Sequence, residues 1–554
     1  MFPQISSCKM KKYIKSLLLI LLVILGWSAA PPLQSSKYFE LMKNIEIFTN
    51  LYKELNTYYV DELDPSKMMR IGLDAMVSAL DPYTNYISET DIESYRLANE
   101  GKANGIGANN RKIGEYITLV EIYKDLSADK AGLKVGDIIL AIDGQEVKGK
   151  SKDEVDNILR GYPGTNVLLK IQRPGSIQPI EVTVSRTEIE TPNVPFSGIL
   201  KNDIGYINLT TFTQRAGANV GNALKNLKAE HPELKGVILD LRDNGGGLLN
   251  EAINVCNIFI PNNQLVVTTK GKVKDWDRTF NTRNEPIDPS IPLAVIINKY
   301  SASASEIVSG VIQDYDRGVI IGQSSYGKGL VQNTRDIGYN AKVKLTTAKY
   351  YVPSGRCIQS VAYENGEPVK LPDSLRASFK TKNGRIVLDG GGVDPDIEII
   401  HPNDLPIVKH LMDRHLIFEY VNNFTSKNPS IPDVNDFNFQ EYSDFVGFLE
   451  KKNFQYQSTA KKLLTELSIA TNEQGIQSTT ELKSLESKLL NQQQEELQKF
   501  QSYIISIIEK EIASRYYYQD GRIRMGLKND REISEAIEIL SKPDLYQSFL
   551  SASN

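Results

Sequence analysis

The most constraining feature of this 554-residue chain is the stretch between residues 291 and 332. Ile291–Ile297 is an apolar run of strand length, and Glu306–Tyr315 sets Ile307, Val308, Val311, Ile312 and Tyr315 at helical spacing. Gly318-Val-Ile-Ile321 then reads as a second buried strand. A strand, a helix and a strand in such quick succession make a βαβ unit, and such a unit needs a sheet to pack on. Only small residues, Ser301-Ala-Ser-Ala-Ser305, occupy the junction between the first strand and the helix. Amides at a helix start lack intrahelical partners and the helix dipole is positive there, so negative charge is stabilised. A serine at that place can have its developing oxyanion held by backbone N–H groups.

A serine hydroxyl is a weak nucleophile and needs a base. The four histidines, His231, His401, His410 and His415, all lie away from this stretch along the chain. Lys328, framed as Gly327-Lys-Gly329 just past the second strand, is the nearer candidate. Lysine takes a proton only when neutral, so burial must depress its pKa, and flanking glycines let the backbone pack closely around the amine. Lys349 is the rival base and lacks that glycine frame. Gly322-x-x-x-x-Gly327-Lys328 is also one residue short of a phosphate-binding loop. That motif needs Ser or Thr after the lysine and a helix behind it. Gly329 follows instead, and Gly338–Val352 alternates like a strand, so the nucleotide reading fails on both requirements.

Ser-Ala-Ser303-Ala-Ser-Glu-Ile, with Gly-Lys328-Gly 25 positions on (328 − 303) and Gln332 four later, closely resembles the carboxy-terminal processing (tail-specific) serine proteases. The resemblance implies Ser303 as nucleophile, Lys328 as general base and Gln332 as the amide that orients the lysine. Gly236–Arg242 reads as a buried strand running into Asp243-Asn-Gly-Gly-Gly247. On its residues alone, that glycine run is either a tight turn or an oxyanion hole. The matching family segment faces the nucleophile, which implies one oxyanion amide from Gly245 or Gly246 and the other from Ala304.

Residues 101–190 resemble a PDZ domain through Ala131-Gly-Leu, Gly136-Asp-Ile-Ile139 and Asp143-Gly144. Gly105-Ile106-Gly107 offers adjacent amides in a turn suited to a terminal carboxylate. By resemblance, this domain would hold a peptide C-terminus as an added strand. The expected class is α/β (α+β multidomain), with a mixed-sheet βαβ protease core over 191–400 preceded by the PDZ domain. Helical regions at 33–100 and 401–554 flank them. Asp81-Pro-Tyr-Thr84 reads as a turn between helices in the first of these. The resemblance covers roughly residues 38–400, and the last region shows helical periodicity without chemistry.

Lys9, Lys11, Lys12 and Lys15 precede the apolar run Leu17–Leu25 and then Ser28-Ala-Ala, which is secretory-signal order. Export to a cell envelope, periplasmic or anchored facing the periplasm, is therefore expected over 1–32. Pro31 is a poor cleavage context and leaves a retained membrane anchor open. A net charge of −4 with mixed signs gives no reason to expect nucleic acid. No Cys/His cluster has metal-ligand spacing, so neither metal nor cofactor is expected. Cys256, on an apolar helical face, reads as a buried free thiol, although pairing with Cys357 stays open. The function expected is a serine endopeptidase with a Ser-Lys dyad that cleaves exposed C-terminal tails of envelope proteins. A homo-oligomer is compatible with the helical regions, and the alternative is a catalytically silent PDZ scaffold.

Overall fold

The computed structural model describes residues 33–92, 102–359, 362–364, 367–369, 372–399, 405–455, 459–475 and 479–552. The signal or anchor expected over 1–32 lies outside them. The chain divides into two units, residues up to Leu80 and residues from Asp81 onward. The first unit holds helices Leu33–Tyr58 and Pro65–Ser78. Asp64 caps the second by accepting from the Ser66 and Lys67 amides, with Pro65 at the first helical position, where its missing N–H costs nothing. Phe39, Met42, Ile45 and Leu51 stay exposed.

The second unit is built on a six-stranded sheet. Its strands run in the order Phe196–Leu200, Ile204–Asn208, Gly236–Asp240, Leu293–Ile297, Val319–Gly322 and Ile397–Glu398. The first pair is antiparallel and the other pairs are parallel. The central strands are largely apolar because both faces are covered. Ile207, Leu239 and Val295 meet the helices Ala216–Glu230, Leu249–Phe259 and Ala304–Asp314. Tyr206, Ile238 and Ile296 point the other way, onto Ile533, Ile539 and Tyr546. The final helices Arg531–Leu540 and Pro543–Leu550 thus complete the protease core.

A second, antiparallel sheet centres on Ala341–Tyr351, which pairs with Leu330–Gly338, Leu265–Gly271 and Asn85–Ile87. That last pairing corrects the expectation of helix through residue 100. After Asp81-Pro-Tyr-Thr84 the chain enters a strand, because the turn delivers it to an open edge of this sheet.

The PDZ region is a sheet ordered Ala108–Ile113, Tyr116–Ile122, Ile138–Ile142, Asn166–Gln172 and Ile180–Ser185. Its helix Lys152–Leu159 is opened by a Ser151/Glu154 capping box. A separate helical core gathers Tyr420, Phe445, Ile508 and Ile512 from the helices Leu416–Lys427, Tyr442–Lys451 and Gln501–Leu527. The helix Gln501–Leu527 breaks at Tyr518, whose hydroxyl donates to Asp129 of the PDZ region at 2.7 Å. Cys256 and Cys357 are both free thiols, and Cys256 is fully buried.

Candidate active site

Ser303 is the residue before the helix Ala304–Asp314 and is held at φ 55°, ψ −109°. Positive φ in a non-glycine residue is strained and persists only where its surroundings hold it. Here the holding is visible. Ser301 donates its hydroxyl to the Leu241 carbonyl at 2.8 Å, and the Ala302 amide donates to the Asn244 carbonyl at 3.0 Å. Ser305 donates its hydroxyl to that same Asn244 carbonyl at 2.8 Å. The Ser303 amide donates to Glu306 Oε2 at 2.7 Å.

Glu306 is fully buried and joins both halves of the site. Its Oε1 accepts from the Ser325 hydroxyl and the Gly327 amide, each at 2.6 Å. Its Oε2, already bonded to Ser303, also accepts the Lys328 amide at 2.9 Å. Burial pushes this carboxyl above the usual range, and the four donors pull it back. Tyr350 supplies a second bridge, with its hydroxyl 3.0 Å from the Ser303 carbonyl and 2.6 Å from the Lys328 carbonyl. Ser303 and Lys328, 25 residues apart in sequence (328 − 303), are therefore tied together twice.

The Lys328 side chain is half-buried. Burial, reinforced by the Lys344 cation and opposed by Glu306 and Asp81, brings its pKa down from 10.5 to about 8. Gly329 explains the glycine frame, since a Cβ there would lie 2.5 Å from the Gln359 amide nitrogen. Lys349 sits in the long strand, with no such packing around it.

Gln332 follows a bulge between Val331 and Gln332. Its amide nitrogen donates to Thr346 Oγ1 at 3.4 Å, and among the described residues it makes no hydrogen bond to Lys328. Bulges re-aim side chains, and this one directs the amide along the sheet.

The glycine turn faces the serine. Gly246 sits at φ +96°, and a Cβ there would come within 2.7 Å of the Ala302 carbonyl and 2.9 Å of Ser303 Cβ. Its amide donates to Asn244 Oδ1 at 2.9 Å. Neither the Gly245 nor the Ala304 amide has a hydrogen-bond partner among the described residues. A Cβ on Gly245 would meet open space.

A sequence profile of Peptidase family S41 matches residues 203–365, one of the PDZ domain matches 119–173, and one described as "Probable PDZ-protease, C-terminal helical domain" matches 407–540. The "Carboxy-terminal-processing protease" of Bartonella bacilliformis is 34% identical over 353 residues, covering 63% of this chain and 80% of that protein. The chain belongs to the carboxy-terminal-processing proteases. It is a serine-type peptidase with a PDZ domain. The "Probable CtpA-like serine protease" of Staphylococcus aureus is 32% identical over 362 residues, covering 64% of this chain and 71% of that one. Among solved structures, the photosystem II D1 C-terminal processing protease shares 23% identity at a TM-score of 0.36, over 66% of this chain and 96% of that one.

A PDZ domain accompanies the catalytic core here, which fits binding of peptide substrates. Gly105, Ile106 and Gly107 lie at the head of the PDZ strand Ala108–Ile113. The Ile106 carbonyl accepts the Ala128 amide at 2.7 Å and the Gly107 carbonyl accepts the Tyr123 amide at 3.1 Å, which pins the turn. Gly107 sits at φ +81° with Leu126 Cβ only 2.6 Å from where its own Cβ would be.

Sequence reasoning gave no role to Glu306, although it stood inside the quoted motif. Its signal was a glutamate three residues after a serine at a helix start, which is the capping-box spacing.

Proposed function

We propose that this peptidase is an endopeptidase that works through a Ser303–Lys328 dyad on the C-terminal tails of proteins in the cell envelope. The observation that carries the reading is the fully buried Glu306 carboxylate, which bonds the amides of Ser303 and Lys328 at once. A tail carboxylate docks on the Gly105–Gly107 turn, and the chain upstream runs to Ser303. Neutral Lys328 takes the hydroxyl proton, Ser303 attacks the carbonyl, and the amides of Ala304 and Gly245 hold the oxyanion. Gly245 is preferred to Gly246 because the Gly246 amide is already spent on Asn244. Each such donor contributes about 3–4 kcal/mol in comparable sites. Water resolves the acyl-enzyme with Lys328 again as base.

The test is cleavage of an unstructured peptide with an apolar C-terminus. Wild type should cleave it, while S303A and K328A should not. Equal rates for wild type and S303A would favour the silent scaffold instead. Because only the neutral amine is a base, kcat/KM should rise with pH through a midpoint of about 8 and level off above it. A rate flat between pH 6 and 10 would remove Lys328 from the mechanism. The envelope assignment rests on the basic, apolar and small-residue order of residues 9–30 and is tested by cell fractionation.

A further inference from the structure

The turn Asp81-Pro-Tyr-Thr84 reaches the base from 245 residues away along the chain (328 − 83). Asp81 Oδ1 accepts the amides of Tyr83 at 2.8 Å and Thr84 at 2.7 Å, and its Oδ2 accepts the Thr84 hydroxyl at 3.0 Å. These bonds, with Pro82 fixing one φ, set the shape of the turn. Thr84 Oγ1 accepts the Thr346 amide at 3.3 Å, and Asn85–Ile87 then pairs with Lys342–Lys344. The turn is thereby fastened to the strand whose Tyr350 hydroxyl bonds the Lys328 carbonyl. So placed, it presents the face of the Tyr83 ring to Lys328, with Nζ 4.5 Å from the ring centroid.

We propose that Tyr83 is a positioning residue for the base, its ring face holding the Lys328 ammonium during the step in which the lysine carries the serine's proton. This rests on the dyad reading above. In that step the Oγ–H bond breaks, an Nζ–H bond forms, and Oγ bonds the peptide carbon while the carbonyl pair moves to oxygen. The ammonium then returns that proton to the departing amide nitrogen as the C–N bond breaks. A ring face attracts a cation and is nearly indifferent to the neutral amine, so Tyr83 acts on the protonated form alone.

The other groups facing Nζ are Asp81 from the turn and Glu306 from the helix, which favour the charge, and Lys344 from the strand, which opposes it. Among the described residues no carboxylate lies within ion-pair distance of Nζ. An ion pair would keep the lysine charged between turnovers, whereas a ring holds the cation more loosely and lets it go.

The experiment compares full pH profiles of kcat/KM for wild type, Y83F, Y83L and a variant with pentafluorophenylalanine at position 83, alongside S303A and K328A. Removing the ring should move the acid limb of Y83L to lower pH by about half a unit and lower the plateau several-fold. Y83F keeps the face and should restore the limb. The fluorinated ring keeps the shape but reverses the charge of the face, so it should behave like Y83L, and it decides the matter if Y83L fails to fold. A wild-type limb in the fluorinated variant, or a Y83F limb displaced as far as that of Y83L, overturns the proposal. Activity retained by S303A or K328A would instead overturn the dyad itself, whatever Tyr83 does.

Discussion

The two sides of Ser303 are made of different material. On one side the proposed oxyanion pocket is backbone, namely the Asp243–Gly247 turn pinned by the fully buried Asn244 and the helix start at Ala304. On the other side the proposed base is a lysine side chain resting on Tyr83, with the Lys344 cation acting on it. Backbone dipoles carry no proton and need no reorganisation as charge develops, so the first side is fixed at every pH. In the proposed mechanism the second side gains and loses a proton in each turnover, and only side chains can do that. The glycine side should therefore tolerate almost no change in shape, while the lysine side should respond by degrees and through pH.

The sharpest break comes from two adjacent glycines. G246A forces a Cβ into the Ala302 carbonyl and Ser303 at a φ that alanine rarely adopts, and should lower kcat by about 10²–10³-fold, the loss seen when an oxyanion donor is displaced. G245A meets open space and should stay within a few-fold of wild type. Steady-state kinetics on the two variants checks this. Equal damage from both would mean that the turn is not a shape-critical wall.

Glu306 belongs to both sides, and E306Q should act on both. The amide that replaces one oxygen would confront two donors, from Ser325 and Gly327 or from Ser303 and Lys328. Loss of charge-assisted bonds in a buried place costs about 2–3 kcal/mol. We expect urea midpoints to fall accordingly and kcat/KM to drop by ten-fold or more. A variant that keeps full stability and activity would show that Glu306 does not join the two halves.

The difference between the sides also governs what could be read in advance. Ser303, Lys328 and the glycine turn are each framed by sequence neighbours, so local pattern was sufficient to single them out as candidates. Tyr83 was invisible because its role depends on a strand pairing between Asn85–Ile87 and Lys342–Lys344, which no periodicity signals. The PDZ strand Ala108–Ile113 was hidden by its Asn-Asn-Arg-Lys composition, as befits a sheet edge. The closing helices from Arg531 onward were legible as amphipathic, but an apolar stripe says that a face is buried without saying against what. Here the partner is the underside of the catalytic sheet, fastened further by Arg242, which bonds Asp240 at 2.6 Å and Asp530 at 2.7 Å.

The smallest expected effect falls on Thr346, the hydroxyl shared by Gln332 and Thr84. Gln332 reaches it at 3.4 Å and Thr84 at 3.5 Å, both at the weak end of hydrogen bonding. T346V keeps the shape and removes the hydroxyl, so both of these long contacts are lost while the Thr346 amide still reaches Thr84. The turn that carries Tyr83 should therefore stay in register. We expect kcat/KM to fall two- to five-fold with the acid limb unmoved, since nothing around Lys328 Nζ changes charge. A shifted limb would mean that Gln332, released from Thr346, reaches the lysine and alters its proton affinity. In that case the base side would have two settings, with Thr346 selecting between them, and its contrast with the rigid glycine side would be greater than the present geometry implies.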